Sequence, residues 1–402
     1  MLKKDNFFKN YFINLSKYNK NLKKTKKVFS SFLVDLKNNQ IPLLKSYEKN
    51  YEFDFSATTV KKFSKYRNIV VIGMGGSILG TKSIYSFLKK RIKKEVFFFD
   101  NLDLNLSLKY KKIKNLKNSC FIIVSKSGDT LETITNLGAI FSENLLKNKL
   151  IIITEITDNA LMAIANKYNA EIIEHKKFIG GRYSVLSETG MFPAALMGLN
   201  LMKFKNLKRL IKNKNFISSL IQNVAGIYTL NLKKINNSVI LNYDSNLNNL
   251  GYWYQQLVAE SLGKKGKGIN PILSFGPKDH HSLLQLYLDG PKDKFFTFFN
   301  SSKRENKLKV ARGIIPNNMG FLINKNLEFI INAQCNATKN IFKLKKIPFR
   351  QITFNKKNED ELGEIFTFFV LETILLSRLM NINPFDQPAV EQVKIETKRF
   401  LR

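Results

Sequence analysis

The chain has 402 residues, of which 44% are hydrophobic and 12% aromatic, which is enough apolar material for two globular domains and excludes a disordered tail. The N-terminal residues lack the apolar core of a signal peptide, and no apolar run reaches the roughly 18 residues of a membrane span. Cys120, Cys335 and three histidines are too few for a zinc site or a disulfide framework. We therefore expect a soluble protein of the cytoplasm that needs neither a metal nor another cofactor.

The net charge of +35 raises the question of nucleic acid, because phosphates attract dense lysine. The basic residues are mostly lysines, however, and they are scattered through every segment of the chain. We interpret the charge as a compositional trend and predict no specific nucleic-acid site. The charge would still raise the local concentration of an acidic small substrate.

Strands and helices alternate from residue 67 onwards. Strands are predicted at 67–73, 95–100, 120–125 and 149–156, and helices at 81–90, 132–147 and 158–169. A glycine turn, GMGGSILG, joins the first strand to the first helix. This alternation predicts a parallel sheet with helices on its faces.

A second round of the same alternation begins near residue 215. Its strands are predicted at 237–243, 271–275, 293–299 and 350–354, with helices between them and a long final helix over 358–379. The predicted fold class is α/β, with two doubly wound, mainly parallel sheets and helical extensions at both ends. The predicted domains are an N-terminal extension (1–66), two α/β domains (67–214 and 215–382) and a C-terminal segment (383–402).

Two strand-to-helix turns carry the residue types that bind phosphate. The glycine turn includes Gly76 and Ser77, where small residues let backbone amides approach an anion at a helix N-terminus. The stretch SKSGDTLET, which begins at Ser125, adds three hydroxyls and a lysine after another strand of the same sheet. A tight turn needs glycine in any case, so the first motif alone is weak, but the two adjacent turns together favour a phosphate site.

Two acidic residues in the second turn need a different explanation. Asp129 lies near the first turn of the following helix, where a carboxylate can cap free amides. Glu132 comes three residues later and could close a capping box with it. A structural role therefore competes with any catalytic role for both residues.

Two segments contain the polar residues that suit proton transfer. In FIGGRYSVLSETG, flanking glycines allow Arg182 to approach a ligand and stabilise an oxyanion, although a surface arginine in a turn is the alternative. In WYQQLVAESLGK, Gln256 and Glu260 share one helix face. Glu260 is either a partly buried general base or a solvated helix glutamate.

Two later segments are less informative by themselves. DHHS contains His280 and His281, of which one could merely cap the helix that follows. Lys394 lies at the end of NPFDQPAVEQVK, a proline-stiffened segment that leads into a C-terminal helix. Local sequence does not distinguish Lys394 from the many other lysines.

The order of these motifs resembles the glucose-6-phosphate isomerase family. VIGMGGSILG, SKSGDTLET, GGRYSVLS, the QQxxxE with its trailing GK, the HS helix and NPFDQPAVEQVK follow one another from residue 70 to 394. Any one of them alone indicates only the sugar-isomerase fold that this family shares. The resemblance implies two sugar-isomerase domains, a homodimer with shared active sites, and a sugar phosphate substrate. The implied reaction interconverts glucose 6-phosphate and fructose 6-phosphate without a cofactor.

The resemblance also implies roles for individual residues. Glu260 would move a proton between C2 and C1, Arg182 would steady the enediolate, and His281 and Lys394 would serve ring opening. Glu132 would pair with that histidine. The implied substrate-binding residues are Gly76, Ser77, Ser125, Lys126, Ser127, Thr130, Glu132 and Gln256, and no metal ligand is implied.

Some features depart from the family pattern. Asp129 and Leu131 replace small or hydroxylated residues in the phosphate loop, and Glu188 is an acid just after the arginine motif. The chain is also compact for the family.

Three other functions are considered. A sugar-phosphate sensor would not need the four implied catalytic residues together, and a nucleic-acid binder would show a steep salt dependence. A dual glucose and mannose phosphate isomerase depends on pocket shape, which the sequence does not show.

Overall fold

The computed structural model describes residues 15–113, 116–140, 149–302 and 308–402, together with the backbone of residues 3–6. Residues 141–147 of the helix predicted at 132–147 lie outside this description.

The strands of the described residues form two five-stranded sheets. In chain order they are β1 Lys3–Asn6, β2 Asn68–Gly73, β3 Glu95–Phe99, β4 Ser119–Val124, β5 Leu150–Thr154, β6 Glu171–Glu174, β7 Asn237–Asn242, β8 Asn270–Phe275, β9 Lys294–Ser301 and β10 Phe349–Phe354. The first sheet has the order β3-β2-β4-β5-β6 and is parallel. The second has the order β1-β10-β9-β7-β8, with β1 antiparallel at its edge. The predicted α/β architecture with two mainly parallel sheets is confirmed.

Helices cover both sheets, and the last described element is a helix. In chain order they are α1 Leu15–Lys37, α2 Ala57–Ser64, α3 Leu79–Leu88, α4 Leu106–Lys111, α5 Leu131–Ile140, α6 Ala160–Tyr168, α7 Glu188–Leu196, α8 Leu201–Phe204, α9 Leu207–Leu210, α10 Lys214–Asn231, α11 Asn248–Leu262, α12 Leu284–Asp289, α13 Leu327–Leu344, α14 Glu359–Met380 and α15 Val390–Phe400. Asparagine side chains cap the N-termini of α6, α10, α13 and α14 by accepting from backbone N–H groups. The abundant asparagine of this chain therefore has a local use at helix starts.

The central strands of the first sheet bring the two phosphate-type turns together. Every residue of β2 and of β4 is buried, as expected for parallel strands covered by helices on both faces. The two strands pair directly, and Gly73 lies opposite Val124 in the register. Their carboxyl ends therefore coincide, and the turns that follow them lie side by side.

The two sheets share a continuous hydrophobic core. One cluster of buried side chains includes Ile69 and Ile122 from the first sheet and Ile240 and Phe299 from the second. Helix α14 is buried along almost its whole length. Because α11 packs against α3, the helix that carries Glu260 lies beside the glycine turn that precedes α3.

Two strands were not predicted, for different reasons. Strand β6 has four residues and follows closely on α6, which ends at Asn169 in the left-handed conformation with φ 48°. Strand β1 pairs with β10 at the edge of the second sheet, but its sequence, KKDN, is polar and has no hydrophobic pattern.

Helix α1 contacts α10, where Asn21 Nδ2 donates to Thr229 Oγ1 at 2.9 Å. The predicted domain boundaries at residues 66, 214 and 382 stay predictions.

In the part of the chain that the structure describes, no helix combines the length and the apolar character needed to cross a bilayer.

Candidate active site

Arg182 lies in a 3₁₀ turn, Gly181–Leu186, that presses against the glycine turn after β2. Its side chain is 2% exposed. A Cβ atom added to Gly76 would lie 2.6 Å from the backbone nitrogen of Arg182, so only glycine allows the two turns to approach this closely. The close contact fixes the arginine beside the carboxyl edge of the first sheet.

The guanidinium group of Arg182 has five N–H donors, and each finds an acceptor within the chain. Nε donates to Ser261 Oγ (2.9 Å), one terminal nitrogen donates to Glu260 Oε2 (3.0 Å) and Gln387 Oε1 (2.8 Å), and the other donates to the carbonyl oxygens of Pro384 and Asp386. Such a charge-assisted set holds a buried guanidinium in one orientation. The arginine thereby joins α11 to the C-terminal segment.

Glu260 is the carboxylate that faces this arginine. Its second oxygen, Oε1, accepts from Gln256 Nε2 at 2.8 Å, one helical turn earlier on α11. The Glu260 side chain is 34% exposed, so it is reachable from solvent although its two partners hold it. Gly75 has φ 51°, and a Cβ atom there would lie 2.7 Å from Gln256 Nε2. The glycine turn therefore leaves the space that Gln256 occupies.

A strap formed by residues 383–387 closes this side of the arginine. Lys264, just after α11, donates to the carbonyl oxygen of Asn383 and to Asp386 Oδ1 at 2.7 Å. Asn383 Nδ2 also donates to Asp386 Oδ2 at 2.8 Å. The hydrogen bond from Lys264 holds the pKa of Asp386 below its ordinary value. The lysine of the GK dipeptide thus anchors the strap to the helix that carries Glu260.

The turn after β4 places two of the predicted phosphate ligands together. Ser125 Oγ and Thr130 Oγ1 lie 2.8 Å apart, and Ser127 is exposed at the tip of the turn. Lys126 points elsewhere: its ammonium group donates to the carbonyl oxygen of Lys177 at 2.8 Å and lies 3.5 Å from Glu155. Ser77 has no hydrogen bond to either of these hydroxyls. It still lies beside the same strand ends, because a Cβ atom on Gly73 would lie 3.2 Å from Ser77 Cβ and 2.8 Å from the carbonyl oxygen of Val124.

Asp129 has a structural role that differs from the predicted one. Its Oδ1 accepts from the backbone N–H of Ala160 at 2.9 Å, so it caps α6, the helix after the next strand, and not α5. The expected capping box with Glu132 is not formed. Among the described residues Glu132 has no hydrogen bond or ion pair, and its side chain is partly exposed. Asp129 ties together two turns at the sheet edge, whereas Glu132 remains available.

The structure does not bring His281 and Lys394 to the other predicted catalytic residues by any hydrogen bond or ion pair among described groups. His281 is exposed at the end of a 3₁₀ turn, Lys278–His281, after β8. Lys394 is exposed on α15 and donates to Glu391 at 2.6 Å. Helix α15 has no buried residue. The positions of both residues in a working site stay predictions.

Glu188, the departure after the arginine motif, is buried and bound within the chain. Both of its oxygens accept from the hydroxyl of Tyr51, and one accepts from the backbone N–H of Asp54. Burial raises the pKa of Glu188. Lys205 lies nearby between the rings of Tyr51 and Phe53, and burial lowers its pKa to about 7. Glu188 therefore connects the N-terminal segment to the start of α7.

Sequence reasoning missed three residues of this site: Ser261, Lys264 and Gln387. Ser261 follows Glu260 directly, and Gln387 lies in the segment NPFDQPAVEQVK, so both residues belong to motifs that the sequence had already indicated. Their roles depend on contacts with residues 79 to 205 positions away along the chain. A polar side chain between two prolines was the available signal for Gln387.

No group of three or more histidine, cysteine or acidic side chains is arranged to hold a metal ion in the part of the chain that the structure covers. The hydroxyls, the carboxylate and the guanidinium at the site are groups of the kinds that can bind an anion and transfer a proton.

Comparison with known proteins identifies this arrangement. A sequence profile of the family described as "Phosphoglucose isomerase" matches residues 41–278. The glucose-6-phosphate isomerase of Methanocaldococcus jannaschii is 34% identical over 351 residues, which cover 85% of this chain and 86% of the relative.

Two solved structures are similar in fold. A hypothetical protein from Thermus thermophilus superimposes with a TM-score of 0.81 over the whole of both chains at 22% identity. A glucose-6-phosphate isomerase from Chlamydia trachomatis gives a TM-score of 0.72 at 19% identity, over 86% of this chain and 72% of its own. At these identities the structures support the fold alone, whereas the profile and the sequence relative identify the family. This chain belongs to the phosphoglucose isomerase family.

Proposed function

We propose that the chain is an aldose-ketose isomerase that interconverts glucose 6-phosphate and fructose 6-phosphate through an enediolate. The observation that carries the proposal is the pairing of Glu260 with Arg182 at the edge of the first sheet, 3.0 Å apart and beside the glycine turn. Membership of the family supports the same reaction.

In this mechanism Glu260 is the general base. It removes the proton from C2 of the open-chain aldose, the C2–H electrons form the C1=C2 bond, and the carbonyl electrons move onto O1. Returning the proton to C1, while the proton of the C2 hydroxyl passes to O1 and the C2 oxygen becomes a carbonyl, gives the ketose. One carboxylate beside two adjacent carbons suffices for both transfers. Each oxygen of Glu260 accepts one hydrogen bond from the chain, so lone pairs remain for the substrate proton.

Arg182 would stabilise the negative charge that develops on the enediolate oxygens. All five of its donors already have acceptors within the chain. A substrate oxygen must therefore replace one of these acceptors, or be stabilised by the guanidinium charge without a hydrogen bond. Gln387 is the side-chain acceptor that the strap contributes to the set, at 2.8 Å, and it is neutral. We therefore expect the strap to move at Gln387 when the enediolate forms.

The phosphate group would bind between the two turns at the ends of β2 and β4. Hydroxyls from Ser77, Ser125, Ser127 and Thr130 and the backbone of Gly76 supply the donors, and Lys126 adds positive charge nearby. The coincidence of the two strand ends supports this placement. Gln256 would complete the pocket through its contact with Glu260.

A homodimer would complete the site with His281 from the neighbouring chain. Exposure of His281 and of the unpacked helix α15, which carries Lys394, supports this arrangement. Glu132 would then meet the partner's histidine. We place the enzyme in the cytoplasm, where the buried thiols of Cys120 and Cys335 stay reduced.

Mixed dimers test the shared site. Chains with Glu260→Gln and chains with His281→Ala, each inactive alone, are expressed together. In a mixed dimer both lesions fall in one site and the other site is intact, so random pairing restores roughly a quarter of the wild-type activity. If the mixture stays inactive, both residues belong to one chain.

The reaction itself is tested with purified protein and fructose 6-phosphate, with separate coupled assays for glucose 6-phosphate and mannose 6-phosphate. Formation of glucose 6-phosphate at a rate that depends on Glu260 is expected. Mannose 6-phosphate as a second product would indicate the dual isomerase, and no product of either kind would reject catalysis of this reaction.

A further inference from the structure

The turn that carries His281 is fastened to the second sheet by its own residues. Asp279 Oδ2 accepts from the backbone N–H of Phe275 at 2.6 Å and from Ser274 Oγ at 3.0 Å. The neighbouring His280 lies with Nε2 2.6 Å from the hydroxyl of Tyr243 and 3.3 Å from Thr338 Oγ1. The His280 ring also packs edge-on against the Tyr243 ring, with centroids 5.6 Å apart. Of the two adjacent histidines, His280 is therefore held by several partners, whereas His281 is exposed.

The hydrogen bonds of His280 form a chain with one direction. The hydroxyl of Thr338 donates to the carbonyl oxygen of Gln334 at 2.9 Å, and the hydroxyl of Tyr243 donates to Thr338 Oγ1 at 3.0 Å. Each hydroxyl has one proton, so the proton in the contact between His280 and Tyr243 must come from Nε2 of the imidazole. The ring thus donates from Nε2 into a chain that ends on helix α13.

This arrangement does not require a charge on His280. Burial and the neighbouring His281 lower the pKa of His280 by more than Asp279 raises it, so the neutral imidazole is favoured at neutral pH. Tyr243 is itself buried, and burial raises its pKa, so its hydroxyl keeps its proton. A partly buried network of neutral groups whose donors all have acceptors is rigid, so it fixes the position of the His280 ring.

We infer that His280 is a positioning residue for ring opening: its hydrogen bonds to Tyr243 and Thr338 hold the exposed turn so that His281 is presented in one orientation. The inference rests on the proposed role of His281. Ring opening breaks the C1–O5 bond while a proton leaves the C1 hydroxyl and another reaches O5, so the imidazole must keep its distance to these oxygens. His281 has no hydrogen bond of its own among the described residues, and the turn alone sets its position.

The test separates ring opening from isomerisation. In chains that carry Glu260→Gln, isomerisation stops, but ring opening still exchanges the α and β anomers of glucose 6-phosphate. This exchange is measured by exchange NMR and corrected for the uncatalysed rate. His280→Leu, which has no donor, should slow the catalysed exchange by roughly tenfold, less than the 10²-fold cost of a 1 Å misplacement. His280→Gln, whose amide N–H can reach Tyr243, should keep most of it.

Two further variants keep the test decisive. Tyr243→Phe removes the acceptor of His280 without changing the histidine and should also slow exchange, even if His280→Leu does not fold. Lys278→Ala alters an exposed side chain on the same turn and is the control, with no change expected. Normal exchange in folded His280→Leu or Tyr243→Phe chains, while His281→Ala is slow, overturns the positioning role. If His281→Ala also exchanges normally, the proposed ring-opening role is rejected, and the inference fails with it.

Discussion

The carboxyl edge of the second sheet is occupied by carboxylates of the chain itself. After β7, Asp244 accepts from the hydroxyl of Ser301 and from the ammonium group of Lys357. After β8, Asp279 accepts from the Phe275 N–H. After β10, the carboxylate of Glu361 accepts three backbone N–H groups, from Asn355 (2.8 Å), Lys356 (3.0 Å) and Lys357 (3.0 Å). At the described ends of β7, β8 and β10, these donors are therefore already bonded to carboxylates of the chain.

The first sheet has the same architecture but its central turns are open. In turns 74–78 and 125–130, no carboxylate of a described residue accepts from a backbone N–H group. Asp129 is nearby, but its carboxylate binds Ala160 in α6, and Glu155 faces Lys126. The carboxyl ends of parallel strands present backbone N–H donors in both sheets. The two sheets differ in whether a carboxylate of the chain already accepts from these donors. The described central turns of the first edge are open to an anion, whereas carboxylates at the second edge bind groups of the chain itself.

The strongest test of this contrast is Glu260→Gln. The amide keeps the shape of the carboxylate but cannot accept the substrate proton, so kcat should fall by about 10³-fold while substrate still binds. Steady-state rates with fructose 6-phosphate, together with a binding titration, measure the two effects. Glu328→Gln makes the same change in a residue lining the cleft at the second edge and should leave kcat unchanged. A near-normal rate for Glu260→Gln would remove it as the base.

Replacing Ser125 and Thr130 together by alanine tests the open turn. A dianionic phosphate accepts strong hydrogen bonds in both the ground state and the transition state. Loss of the two hydroxyl donors therefore weakens the binding of both states equally. At about 1.5 kcal/mol for each bond to a charged group, KM should rise by about 10²-fold with little change in kcat. Ser301→Ala, a hydroxyl at the second edge, should leave KM unaltered. A collapsed kcat with an unchanged KM would place the phosphate elsewhere.

Much of the fold could be predicted because buried parallel strands are continuous apolar runs. Strands β2, β4 and β5 were predicted from such runs, and the turns after β2 and β4 were predicted as the phosphate site because their glycines and hydroxyls follow strands of one sheet. Strand β1 could not be predicted, because its sequence, KKDN, is polar and has no hydrophobic pattern.

The site was predicted in its residue types but not in its contacts. Glu260 and Arg182 are 78 residues apart, and local sequence left each with a plausible surface role. The partner of Asp129 depends on which strand lies beside β4, so the predicted helix was wrong although the capping role was right in kind. His281 and Lys394 are exposed in the single chain, and no contact among the described residues fixes a role for either, so their proposed roles stay predictions.

The smallest expected effect concerns the closed edge, where Asp244→Asn should change stability and not catalysis. Burial alone would raise the pKa of Asp244, but Lys357, Ser301 and the backbone N–H of Asn246 outweigh burial and hold the pKa below its ordinary value of 3.8. A carboxylate whose pKa is lowered by folding stabilises the folded state above the unfolded pKa, and this contribution is lost as the pH falls through the folded value. Near neutral pH, Asp244→Asn should therefore lower the free energy of unfolding by about 2 kcal/mol, the contribution of a hydrogen-bonded charge. Urea unfolding of both proteins at a series of pH values measures the difference, which should shrink as the pH falls below 3.8. The KM for fructose 6-phosphate should stay at the wild-type value. A raised KM with unchanged stability would show that the second edge also binds substrate, and the contrast between the two sheets would fail.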